Sequence, residues 1–353
     1  MASGWIIREG TKRSGFRYRR EGGGAVTDRV TLERIEGLRI PPGWRDVHVA
    51  PGPRAAVQAW GMDARGRKQY RYHDRAVERG QLRKYHRVRQ LAHDLPGIRA
   101  AVGRDFDHAE LDRRRVAAGV VRLISQGFFR VGGARYAEEN HTFGITTLRK
   151  RHLTLDGDML VFDYVGKRNI RQRQAVVDPS LVEFARELLD APGTRLFRYH
   201  EDGGWHDLTA RDVNAYLREV LGVRYTAKDF RTWGGTLRAA TVLAELGPAE
   251  SERQATRNVT TAVRLVAAEL GNTPTICRKS YVHPIVIARY LDAGEVIHPE
   301  RHRPRERHDR WRHAPEERAL IAFLDRHFPE RRRRASKRRV PVSRERREDA
   351  DAA

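Results

Sequence analysis

Apolar positions along this chain recur mostly at helical spacing. The clearest stripe lies in residues 110–126, where Val116, Val120, Val121, Leu123 and Ile124 share one face and Gly127 follows as a stop. Residues 81–93 and 96–102 read as two separate helices, the second opened by Pro96. Residues 179–190, 209–221, 226–246, 248–270 and 315–327 complete the helical set, with a short turn at 31–37. Alternation appears earlier, in residues 46–50, 57–60 and 69–73, which are separated by Pro51, Gly52, Pro53, Gly61 and Gly66. It returns in residues 151–155 and 159–165, which flank Asp156 and Gly157, a strong two-residue hairpin signal. Gly166, Lys167, Arg168 and Asn169 then turn the chain into a polar strand over 170–177.

This pattern predicts an α+β fold. Residues 1–80 form a small N-terminal antiparallel β-sheet domain with a flexible basic lead-in over about the first 25 residues. Residues 81–294 form a larger, mainly α-helical domain carrying the β-hairpin, and residues 295–353 a basic, largely disordered extension with one helix.

Charge narrows the function. Lys and Arg number 69 against 46 Asp and Glu, a net +23, which calls for a polyanionic partner, nucleic acid before membrane. No run of eighteen apolar residues exists and the first residues lack a signal-peptide core. One cysteine, Cys277, excludes an internal disulfide and fits a reducing cytoplasm, so a cytoplasmic, nucleoid-associated location is expected. Cys277 itself reads as a small semi-buried residue.

Several residues carry candidate chemistry. Tyr281 follows the cations Arg278 and Lys279, within a stretch broken by Gly271 and Pro274. A phenol is a poor nucleophile at neutral pH, but positive charge favours phenolate and also holds phosphate, so Tyr281 is a candidate nucleophile toward a DNA phosphate. On the strand over 69–73, Gln69, Arg71 and His73 face one way and Lys68, Tyr70 and Tyr72 the other. Such a strand either contacts nucleic acid or is a solvated edge whose tyrosines pack on a core. Arg130 sits between Phe129 and Val131, ahead of Gly132 and Gly133, and needs a partner there, a ligand phosphate or Glu138 or Glu139. Lys167 projects from a hairpin tip; Lys228 and Arg231 share a helical face, and Gly234 and Gly235 suggest close backbone approach. The pair Asp156 and Asp158 belongs to the turn rather than to a metal site, and His298, His302, His308 and His313 are too irregularly spaced for one.

Taken together, these segments resemble the type IB DNA topoisomerases, in particular the poxvirus-like bacterial group. The likeness covers roughly residues 30–294 and rests on motifs in the family's order: Gly66 to His73, Phe129 to Gly132 with Tyr136 and Asn140, Phe143 to Leu148, Gly166-Lys167, Thr226 to Trp233, and Leu270 to Tyr281. It implies a two-domain clamp around double-stranded DNA, working as a monomer without ATP, metal or other cofactor. Tyr281 would form a 3′-phosphotyrosyl bond and free a 5′-hydroxyl, after which strand rotation and religation relax supercoils. Arg130 and Arg231 would grip the phosphate, Lys167 would be the general acid, and Asn272 would donate a hydrogen bond. The DNA-contacting set would be Lys68, Gln69, Tyr70, Tyr72, Arg135, Tyr136 and Lys228.

Two positions depart from the family. Asn272 stands where many relatives have histidine, and Arg168 follows Lys167 where a small or acidic residue is common. A tyrosine recombinase shares the Arg–Lys–Arg–Tyr set but usually has His-x-x-Arg where this chain has Lys228 to Arg231. A non-catalytic DNA-packaging protein would explain the charge but not the ordered motifs. The basic run at 331–339 is expected to raise non-specific DNA affinity.

Overall fold

The alternating segments become a five-stranded antiparallel sheet in this computed structural model, which describes residues 4–222, 225–300 and 311–328. Strands β1 (Ile6–Thr11), β2 (Gly15–Arg20), β3 (Arg45–Val49), β4 (Val57–Met62) and β5 (Lys68–Tyr72) are ordered β2-β1-β3-β4-β5. Helix α1 (Arg29–Gly37), capped by Asp28 accepting from the Thr31 amide, brings Ile35 into a core with Ile6, Val26, Val47, Val49 and Ala59.

The expected flexible lead-in is instead part of this sheet. β1 pairs with β2 from Ile6–Arg20 to Thr11–Gly15 and with β3 through Ile6 and Ile7. β2 is an outer strand with a solvated face, so its arginines make an ordered strand read as basic coil.

A second correction concerns α2 (Asp74–Phe106), one helix of 33 residues with Pro96 inside it, where two were expected. The proline removes one backbone donor, but Leu91, Ala92, Leu95, Ile98 and Val102 keep a buried stripe running past it. Helices α3 (Arg113–Gly127) and α4 (Ala134–Asn140) follow. Strands β6 (Leu153–Asp156), β7 (Met159–Gly166) and β8 (Ile170–Val177) form an antiparallel sheet turning at Gly157, as the hairpin signal predicts. Helix α5 (Pro179–Asp190) has the bounds read from sequence, with proline at its start and Asp178 as cap.

Strands β9 (Arg198–Glu201) and β10 (Gly204–Asp207) form a small hairpin that periodicity did not reveal, each being only four residues long. Next come α6 (Ala210–Leu221), α7 (Ala227–Leu246), α8 (Glu252–Leu270), α9 (Pro274–Ser280), α10 (Pro284–Ala293) and α11 (Pro315–His327). The chain divides into two compact units, residues up to Asp94 with Ala101–Trp233, and Leu95–Ala100 with the chain from Gly234 onward. The basic run at 331–339 lies outside the described residues, as do His302 and His308.

Candidate active site

In the first unit, Arg130 is placed by the end of α3. That helix stops at Phe128, whose left-handed backbone (φ 54°) turns the chain, and Phe129 then plugs the core with no exposure. The motif from Phe143 to Leu148 locks onto this segment. The Ile145 amide donates to the Arg130 carbonyl at 2.8 Å, the Thr146 amide to Val131 at 2.9 Å, and the Thr146 hydroxyl to Val131 at 2.9 Å. Gly132 and Gly144 meet backbone to backbone: a Cβ on Gly144 would lie 2.5 Å from the Gly132 nitrogen and 2.7 Å from the Arg130 oxygen. Two motifs far apart in type are thus one structural unit, and what they position is Arg130.

Arg231, on α7 and only 3 % exposed, donates through its guanidinium to the Phe128 carbonyl. Tyr164 on β7 connects the two arginines electrostatically. Burial pushes its hydroxyl up to about 12, while both Arg130 and Arg231 pull it down. That hydroxyl donates to Gln174 Oε1 at 2.8 Å, and the Gln174 amide donates to the Gly127 carbonyl at 2.6 Å. Charge, ring and amide therefore converge on the last turn of α3. Lys167 is exposed in the turn between β7 and β8, where Arg168 and Asn169 both adopt left-handed backbone (φ 67° and 58°). Gly166 before it is needed because a Cβ there would meet Gln172 at 2.7 Å.

The start of α7 is held by Asp229, 1 % exposed. It accepts from the Thr226 amide and hydroxyl at 2.9 and 2.8 Å, and from Arg87 of α2 at 3.0 and 2.8 Å. Lys228, the next residue back, is exposed and close enough to Lys84 of α2 to matter. Burial first, and Lys228 second, depress the Lys84 ammonium to about 8. Sequence reasoning missed Tyr164, Gln174, Asp229 and Lys84. Only Asp229 had a legible signal, the Thr226-x-x-Asp229 capping pattern.

The expected DNA-contacting residues divide in two. Tyr70 and Tyr72 are 43 % and 52 % exposed and stack on each other at 5.8 Å, so they do not pack on the core. Lys68 lies over the Trp60 ring at 3.6 Å, on the same exposed set of positions. Gln69 instead faces inward and donates to Asp63 at 3.0 Å, and His73 caps α2 by accepting from the Arg75 amide. Tyr136 is exposed and its hydroxyl lies beside Arg67. Arg135 pairs with Glu139 at 2.7 Å, one of the two carboxylates named as partners for Arg130. A cavity of about 630 Å³ beside the hairpin is lined by Arg149, Arg151, Arg171, His141 and His152, with Asp163 as its one carboxylate.

In the second unit, α8 ends at the left-handed Gly271 (φ 57°), and the Asn272 amide donates back to the Ala267 carbonyl at 2.9 Å. Thr273 caps the short α9, whose C-cap is Tyr281, with its amide donating to the Cys277 carbonyl at 2.8 Å. Thr236 Oγ1 donates to the Tyr281 carbonyl at 3.3 Å, and a Cβ on Gly235 would lie 2.9 Å from that oxygen. The close approach expected at the glycine pair is therefore made by Gly235 against the tyrosine's own backbone. Arg278 and Lys279 are exposed, and Cys277 is fully buried.

Among the described residues, no group of three or more His, Cys, Asp or Glu side chains gathers as a metal site would require, and no helix is long and apolar enough to cross a membrane.

The chain matches the family described as eukaryotic DNA topoisomerase I, catalytic core, over residues 74–306, and the bacterial DNA topoisomerase IB N-terminal domain over residues 15–63. It is 31 % identical to the DNA topoisomerase 1B of Acanthamoeba polyphaga mimivirus over 75 % of this chain and 82 % of that one. It is 22 % identical to the DNA topoisomerase 1B of Vaccinia virus (strain Copenhagen) over 75 % of this chain and 83 % of that one. A solved post-cleavage complex of the XerH site-specific recombinase with a palindromic difH substrate aligns with a TM-score of 0.36 at 16 % identity, covering 54 % of this chain and 48 % of that one, a likeness too slight to assign anything.

Proposed function

The chain belongs to the type IB DNA topoisomerase family, and on that premise we propose that it relaxes supercoiled duplex DNA by a cycle of transesterification at Tyr281. The Tyr281 phenol gives up its proton to solvent as its oxygen attacks a backbone phosphorus. The bond from phosphorus to the 5′-oxygen breaks, and the strand is held as a 3′-phosphotyrosyl ester. Lys167 gives its proton to the departing 5′-oxygen. In religation that 5′-hydroxyl returns its proton to Lys167, attacks the same phosphorus and expels the tyrosine, which takes a proton back from solvent. Exchanging one phosphate ester for another conserves the bond's energy, so the cycle runs without ATP, and cationic side chains supply the charge stabilisation a metal would otherwise give.

Arg130 and Arg231 bind the non-bridging oxygens, whose charge spreads in the transition state. Asn272 donates a neutral hydrogen bond in the same task. Lys68, Tyr70, Tyr72, Tyr136, Arg135 and Lys228 supply contacts to the duplex, and the chain acts as a monomer on DNA in the cytoplasm. The observation that carries this reading is the convergence of Arg130 and Arg231 on Tyr164 and the end of α3. Two guanidinium groups within electrostatic reach of the same buried hydroxyl, with backbone and amide bonds fixing the loop that carries Arg130, suit a dianionic or charge-spreading phosphate group.

The test is to trap the covalent complex with a DNA duplex cut so that its 5′ strand diffuses away, digest it, and map the adducted peptide by mass. The reading requires a DNA 3′-phosphate on Tyr281. An adduct on any other residue, or one linked to a 5′ end, sinks it.

A further inference from the structure

We infer that α11 and Phe328 form a positioning element for the nucleophile's arm, acting through His283. This rests on Tyr281 being the nucleophile. The helix lies beyond residue 306, where the match to the topoisomerase core ends.

The connection can be followed bond by bond within the second unit. α11 buries Leu320, Phe323 and Leu324, and its first-turn carboxylate Glu317, 4 % exposed, accepts from both Arg99 nitrogens at 2.9 and 2.7 Å. Glu317 also accepts from the Ala314 amide at 2.9 Å, closing the helix start. At the other end His327 meets Glu295 at 2.5 Å, and Arg289 fixes the same carboxylate at 3.0 Å. With both ends of the helix tied down, the Phe328 ring packs edge-on against the His283 ring, centroids 4.7 Å apart at 76°.

His283 has no exposed surface and caps α10 by accepting from the Ile285 amide at 3.2 Å. Its own amide donates to Thr236 Oγ1 at 3.0 Å, and that same hydroxyl donates to the Tyr281 carbonyl. Phe328 therefore sets His283, His283 sets Thr236, and Thr236 with Gly235 sets the backbone of Tyr281. The arm itself, α9, is only two turns long and mostly exposed, so its direction depends on such anchors.

The test uses the full chain carrying Phe328→Ala, with Phe328→Leu and Phe328→Tyr beside it. Single-turnover cleavage is expected to slow about tenfold in F328A, a part of the roughly 100-fold that a misplacement of about 1 Å can cost. DNA affinity, measured on a Tyr281→Phe background where no adduct can form, is expected to stay within about twofold, because Phe328 is given no DNA contact. F328Y should restore most of the rate, and hydrogen exchange at the Tyr281 and Val282 amides should quicken in F328A while the N-terminal sheet is unchanged. If F328A melts below the assay temperature, F328L carries the same comparison with a smaller loss. Native cleavage rate and native exchange in both F328A and F328L would overturn the inference. A covalent adduct persisting in Tyr281→Phe would instead overturn the assignment of the nucleophile, which separates the two failures.

Discussion

The guanidinium of Arg231 donates to the carbonyl oxygen of Phe128, 103 residues away in sequence and two residues before Arg130. One arginine of the proposed phosphate grip thus holds the loop that carries the other. Arg231→Ala removes one arm of the proposed phosphate grip and leaves a half-buried carbonyl without this donor, so cleavage should fall about 100- to 1000-fold. Arg231→Lys should recover little, since an ammonium lacks the planar fork needed for carbonyl and phosphate together. Single-turnover cleavage rates, with melting temperatures to confirm folding, check both.

Gly144→Ala tests the interlock that fixes Arg130. The added methyl would sit 2.5 Å from Gly132 backbone and 2.7 Å from the Arg130 oxygen, too close without moving the loop. A stability loss of about 1–3 kcal/mol is expected from overpacking of this kind. Cleavage should fall further than the unfolded fraction explains, because the loop that shifts is the one bearing Arg130. Urea unfolding beside cleavage measured well below the midpoint separates the two effects.

Asp229→Ala should loosen the start of α7. The carboxylate is buried and serves Arg87 and Thr226 at once, so its removal strands a cation and two donors. Because Arg87 is 38 % exposed, the expected cost lies at about 2–3 kcal/mol, below that of a fully buried pair. Thermal melting reads it directly, and Asp229→Asn should recover part of the loss by keeping a hydrogen-bond acceptor.

Lys84 gives a pH signature. Its folded value, about 8, lies below the ordinary lysine value of 10.5, so between these the unfolded chain binds more protons than the folded one. The burial penalty is therefore fully present below pH 8 and relieved as pH rises toward 10.5. Lys84→Met should be more stable than the native chain at pH 7, and the gap should shrink by pH 10. A gap that widens with pH in paired denaturation curves contradicts this origin.

The exposed positions of β5 allow substitution at small structural cost, the loss of the Lys68–Trp60 and Tyr70–Tyr72 ring contacts. Lys68→Ala should reduce the slope of log affinity against log salt by about one if the proposed phosphate contact is made. Tyr70→Ala with Tyr72→Ala should weaken DNA binding several-fold while leaving the melting temperature nearly unchanged. Fluorescence anisotropy across a salt series measures both.

Legibility in the sequence followed the range of the forces involved. Helices α5 and α11 carry their own stripes and starting prolines, so their bounds could be read directly. The Asp156-Gly157 turn announced its hairpin for the same local reason. β1 and β2 were missed because an outer strand with a solvated face needs no apolar alternation on that face. α2 was split at Pro96 because the packing that carries a helix past a proline comes from elsewhere in the chain.

The amino-acid order alone determined which residue types stand in which local frame: a tyrosine ending a short helix, a lysine in a hairpin turn, an arginine beside a glycine pair. Those features depend on spacing, turn chemistry and capping over a few residues. Only the tertiary structure decided that Arg231 grips the loop of Arg130, that Tyr164 and Gln174 support both, and that Phe328 reaches His283 behind Tyr281. Contacts across tens to a hundred residues arise from which buried faces fit one another, and a periodic pattern says that a face is buried without saying against what.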